Sequence, residues 1–168
     1  MSSKPNQLRT LVLAALFAAI IFVFTAYILH IPFLTGYIHF GDTFIYLAAC
    51  LLPTPYAVAA AAIGAGLSDL LTFPIWVGPT ILIKSLTVLC FTSKTGRIVC
   101  KRNIAGLVLA FFVSVVGYYI ATGLLFQDWL IPMVRIGTDI VPPLVCAVIV
   151  LALGRILDQM IIKSLIHH

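Results

Sequence analysis

Residues 10–29 carry no charged side chain, and residues 104–126 carry none either. Apolar runs this long leave few folds open. A helix of about 20 apolar residues spans the hydrocarbon core of a bilayer. A transmembrane β-barrel would instead show short segments of alternating polarity. Composition agrees: the chain is 62% hydrophobic and 9% charged, with mean hydropathy +1.19, whereas a soluble domain is about 25% charged. Too few polar side chains remain to cover a water-facing surface. The expectation is an all-α integral membrane protein, a compact bundle of six transmembrane helices forming a single membrane domain over 1–168. The expected spans are about 10–29, 42–52, 56–72, 80–91, 104–126 and 140–162.

The charges orient the bundle. Ten Lys and Arg face five acidic residues, all aspartate, for a net +5. In a membrane chain this excess reads as topology rather than nucleic-acid binding, because Lys and Arg collect in cytoplasmic loops. Lys4 and Arg9 precede the first span, Lys94, Arg97, Lys101 and Arg102 lie between the fourth and fifth, and Lys163 follows the sixth. With six spans these positions share one side, so both termini are expected in the cytoplasm. The first span is read as a mature helix, not a cleaved signal. His167 and His168, native or a tag remnant, are set aside. Cys50, Cys90, Cys100 and Cys146 show no CxxC spacing and read as small apolar side chains.

The remaining ionisable residues then gather at the opposite, outward end: His39, Asp42, Asp69, Lys84, Asp128, Arg135 and Asp139. Arg155 and Asp158 are the exception, and their spacing suggests a local ion pair. A charge inside a span costs at least a few kcal/mol even on lenient scales. Asp69 and Lys84 therefore either pair and bolt two helices together or line a polar pocket. Asp42, in "FGD", stands at the start of the second helix, as an N-cap, a ligand contact or both. His39 is either a solvated loop residue or part of the same pocket. Tyr37, Tyr46, Phe73, Trp76, Tyr118, Tyr119 and Trp129 sit near one level, as an interfacial belt or as pocket walls. Trp76, in the break between Pro74 and Pro79, suits a wall or lid, since irregular backbone at membrane depth survives only inside protein or beside water.

No HExxH, GxSxG or Walker motif occurs, and without glutamate a metalloprotease of the usual kind lacks its general base. No metal or cofactor is implied, and a binding or transport role is expected rather than an enzymatic one. In the first span, Ala14 with Ala18 and Ala15 with Ala19 form small-xxx-small pairs, a surface on which another helix can approach closely, within the bundle or from a partner.

Taken in order, the alanine stripe, the long loop before "GD", "AAIGAGLSDLL" and "GPTILIKSL" resemble the substrate-binding S component of energy-coupling factor (ECF) vitamin transporters. The resemblance covers most of the chain. It implies a binding subunit in the plasma membrane of a prokaryote, capturing a water-soluble vitamin or precursor at the outer face under the loop 30–41. It also implies partners: a transmembrane coupling subunit docking on Ala14, Ala15, Ala18 and Ala19, and two ATPases. Asp42, Asp69 and Lys84 fall in segments that border the family's pocket. At the start of the last helix many relatives show an Asn-rich stretch, and this chain has "GTDIVPP", which brings Asp139 toward ligand. The expected ligand-contacting set is Tyr37, His39, Asp42, Tyr46, Asp69, Trp76, Lys84, Tyr118 and Asp139.

Carboxylates accept hydrogen bonds and aromatic walls suit flat rings. Both favour a planar heterocycle bearing donors, such as a hydroxymethyl-aminopyrimidine, a pyridoxine-like vitamin or an amine-bearing deazapurine like a queuosine precursor, with riboflavin and pantothenate open. An anionic ligand would need Lys84 or Arg135 free of aspartate. Two other functions stay open: a stand-alone or proton-coupled carrier titrating Asp69 and Lys84, and a membrane assembly protein without ligand.

Overall fold

A computed structural model describes residues 7–28, 31–33, 36–91 and 97–166. Six α-helices follow one another: α1 (Gln7–Ala26), α2 (Gly41–Leu51), α3 (Thr54–Thr72), α4 (Val77–Leu89), α5 (Lys101–Phe126) and α6 (Leu130–Ile166). Two short strands, β1 (Ile31–Phe33) and β2 (Gly36–Ile38), pair antiparallel between α1 and α2, with Pro32 opposite Tyr37. A 3-10 turn, Pro74–Trp76, leads into α4.

Four helices, α1, α3, α5 and α6, are long and apolar enough to cross a membrane. α2 and the segment Pro74–Leu89 are apolar but shorter, as the short expected spans 42–52 and 80–91 anticipated. Prolines set the breaks. Leu52 is extended (φ −95°, ψ 154°), as the residue before a proline prefers. Pro55 then occupies the first turn of α3, where its missing N–H costs nothing.

The short helices shape one end of the bundle. α2 has 11 residues and α3 has 19, and both leave the turn at Leu52 and Pro53. At 1.5 Å per residue, the start of α2 lies roughly 12 Å below the end of α3. Lys84, seven residues into α4, reaches a similar depth of about 10 Å. A recess results.

α1 packs most extensively on α3. A Cβ at Gly64 would lie 2.6 Å from the Ala18 carbonyl oxygen and 2.8 Å from the Ile21 Cβ, so only glycine permits this approach. Ala14 and Ile21 on α1 and Ala57, Ala60, Ala61 and Ala65 on α3 are buried in the core. Half of the alanine stripe thus serves internal packing: Ala14 is buried and Ala18 half-buried, while Ala15 and Ala19 are exposed.

α6 begins at Leu130, some ten residues before the expected 140. Asp128 accepts the Leu130 amide at 2.8 Å, a start signal of the Asx type, and Pro132 falls in the first turn. The helix continues through Pro142 and Pro143. Each of these prolines leaves a carbonyl one turn earlier, at Thr138 and Asp139, without its amide partner.

At the other end, Asp158 accepts the Ile98 amide at 2.8 Å and the Val99 amide at 2.9 Å. The expected Arg155–Asp158 pair is replaced by this clamp between α6 and the chain entering α5. Two backbone N–H groups next to a buried carboxylate satisfy it without a cation.

Candidate functional site

The recess holds a cavity of about 80 Å³. Its floor is an ion pair. Lys84 Nζ lies 2.7 Å from Asp42 Oδ1 and donates to Oδ2 at 2.9 Å, and both side chains are only 3–4% exposed. α2 contributes Asp42 from its first turn. The N-cap position is Phe40, with no side-chain cap bond, so Asp42 is no cap. Its carboxylate is spent on Lys84, as a buried charge requires. Asp69 and Lys84, read either as a bolt or as pocket lining, both line the cavity, and the lysine's ion pair is with Asp42 on α2, 42 residues away.

Aromatic walls rise from this floor. Lys84 Nζ sits 5.2 Å from the centroid of the Tyr118 ring, within cation–π range. Tyr118 Oη and Thr80 Oγ1 share a hydrogen bond at 3.1 Å. Trp76 packs at 5.9 Å from Tyr118, centroid to centroid. Above Trp76, at 5.3 Å from its centroid, lies the Arg135 guanidinium. Arg135 also meets Asp139, one turn on, at a loose 3.6 Å, with both side chains 14–15% exposed.

The structure therefore brings His39, Asp42, Asp69, Trp76, Lys84, Tyr118 and Asp139 to one cavity. His39 Nδ1 accepts the Gly41 amide at 3.3 Å, which orders the entry to α2. Tyr46 is not among the lining residues. It lies one turn below Asp42, 1% exposed, with its ring 5.8 Å from Phe91 in the core. The side chain of Tyr37 lies outside the described residues.

Thr80, Ser114, Arg135, Thr138, Pro142 and Pro143 line the cavity as well, and the site expected from sequence omitted them. Thr80 stands one turn before Lys84 and Ser114 one turn before Tyr118, so each shares a helix face with a residue already singled out. Counting lining charges, Asp42, Asp69 and Asp139 oppose Lys84 and Arg135, which leaves one negative charge in excess with His39 neutral. Such a wall presents acceptors and favours a ligand rich in donors.

The model of the family "ECF-type riboflavin transporter, S component" matches residues 5–159. The chain belongs to this family. It is also similar to a Pyrococcus woesei protein described as "Uncharacterized protein in gap 3'region", 34% identical over 90 residues, or 52% of this chain. The matched region covers 60% of that protein's length. Membership agrees with the resemblance carried by the alanine stripe, "SDLL" and "IKSL".

Proposed function

We propose that this chain is the substrate-binding subunit of an ECF-type importer and that the recess captures a planar, donor-bearing vitamin or precursor. One observation carries the reading: in a chain of this family, acceptors and aromatic rings converge on a recess at the bundle end opposite Arg9, Arg97, Lys101 and Arg102. With those basic residues cytoplasmic, both termini face the cytoplasm and the recess opens outward from a prokaryotic plasma membrane. Trp76 and Tyr118 would stack on a flat ring. Asp69, Asp139 and the hydroxyls of Thr80, Ser114 and Thr138 would take its donors.

Riboflavin, named in the family's description, carries a ring N–H and a hydroxylated chain and is the first ligand to test. Aminopyrimidine, pyridoxine-like and queuosine-precursor-like heterocycles share the same chemistry. Pockets for such ligands span about 300–1,000 Å³, so the 80 Å³ cavity must widen. The dry Lys84–Asp42 floor resists movement, whereas the looser, more exposed Arg135–Asp139 pair can yield. Energy would come from partners: a transmembrane coupling subunit docking on the exposed Ala15 and Ala19 of α1, and two ATPases.

The test is mass spectrometry of small molecules released from the purified chain, followed by calorimetric titration of the compound found. A planar heterocycle that rebinds supports the reading, and release of no such compound counts against it. Ala15→Trp and Ala19→Trp should abolish assembly with the coupling subunit and leave ligand binding intact. Normal assembly of both variants would remove the docking role.

A further inference from the structure

Away from the recess, residues of α5 and α6 line an apolar groove of about 340 Å³, with hydrophobic side chains alone. Val108 and Phe112 form one wall and Leu144 and Val148 the other, each more than half exposed. Ala147 also lines the groove. A partner helix approaches closely where small residues line both sides. Here bulky side chains line both sides and Ala147 is the one small lining residue, an apolar lining suited to a flexible hydrocarbon chain.

The groove ends in cations from both helices. Lys101 precedes Val108 by seven residues and Phe112 by eleven; Arg155 follows Val148 by seven and Leu144 by eleven. Both intervals return to the same helix face within about 20°. Lys101 and Arg155 are exposed and lie at the same end, because the clamp from Asp158 to Ile98 and Val99 fixes it. Gly154 lets this contact close: a Cβ there would stand 2.6 Å from Ile98 Cγ2. With Asp158 engaged by backbone amides, neither Lys101 nor Arg155 has an ion-pair partner among the described residues.

We infer that this groove is a binding site for one anionic phospholipid, with an acyl chain between α5 and α6 and the headgroup phosphate held by Lys101 and Arg155. Cations near a membrane surface attract anionic lipid, and here two converge beside a preformed apolar slot. The site is independent of the vitamin recess, which opens at the other end of the bundle.

Native mass spectrometry of the full chain in neutral detergent tests this, titrating phosphatidylglycerol against phosphatidylcholine. The wild type should retain phosphatidylglycerol roughly tenfold more strongly. Lys101→Gln with Arg155→Gln should erase that preference, and Val148→Trp should lower retention of both lipids by filling the groove. Equal retention of the two lipids by the wild type would overturn the inference, as would a preference that survives the double substitution. A Val148→Trp variant that keeps lipid but fails to assemble with the coupling subunit would assign the groove to a protein partner instead.

Discussion

Two ion pairs among the described residues of the recess are built to different standards. Lys84–Asp42 is tight at 2.7 and 2.9 Å, nearly dry, and joins helices 42 residues apart in sequence. Arg135–Asp139 is loose at 3.6 Å, several times more exposed, and confined to a single helix. The first holds α2 and α4 at their shared depth and cannot open without stranding a charge. The second links neighbours on one turn, and separating them leaves the fold as it was. The contrast divides the recess into a fixed floor and an adjustable wall. It is the wall that the proposed widening for ligand would use.

The largest effect should come from breaking the floor. Lys84→Met leaves Asp42 buried without its cation and should cost about 3–5 kcal/mol of stability, measured by thermal or chemical unfolding in detergent. Adding Asp42→Asn should restore most of it. A Lys84→Met variant within about 1 kcal/mol of wild type would make the two pairs equivalent and end the distinction. A third carboxylate sharpens the point. Asp158 is satisfied by the Ile98 and Val99 amides, so Asp158→Ala strands two donors but no ion. Its cost should be smaller, about 1–3 kcal/mol, and a loss equal to that of Lys84→Met would show that charge is not what makes the floor costly. Smaller again, Arg135→Gln should change stability by less than about 1 kcal/mol, as expected for a partly exposed pair one turn apart. Smallest of all, Tyr46→Phe should leave ligand affinity unchanged in calorimetry, because Tyr46 packs on Phe91 beneath the recess.

Much of this site could be read from sequence because charge in an apolar run demands an explanation. Asp69 and Lys84 stood out on that ground, Asp42 as a carboxylate at a helix start and Asp139 through the family resemblance, and all four line one cavity. Partnership was harder to read. Asp42 looked like a helix cap, and its tie to Lys84 depends on α2 and α4 being short by matching amounts, which only the assembled bundle reveals. Asp158 looked paired with Arg155 at helical spacing, but the folded chain brings two backbone amides to it, and amides carry no sequence signal. Thr80 and Ser114 were missed because a lone hydroxyl in a membrane helix is unremarkable until its neighbour one turn on is known to face a pocket. α6 was started too late because 127–139, with its three charges, read as an interfacial stretch outside the span, whereas Asp128 had already begun the helix. The alanine stripe was visible, yet its division into an inner pair at Ala14 and Ala18 and an outer pair at Ala15 and Ala19 depended on where α3 lies.

The most direct test of the central claim is calorimetric titration of wild type and Asp139→Asn with riboflavin or the heterocycle released from the purified protein. Asp139 belongs to the adjustable wall, so the substitution should spare stability while removing one charge-assisted hydrogen bond, worth about 1.5–3 kcal/mol. The account predicts an affinity roughly ten- to a hundredfold weaker, with an unchanged unfolding midpoint. Equal affinity for wild type and Asp139→Asn would contradict it and place ligand recognition outside the wall described here.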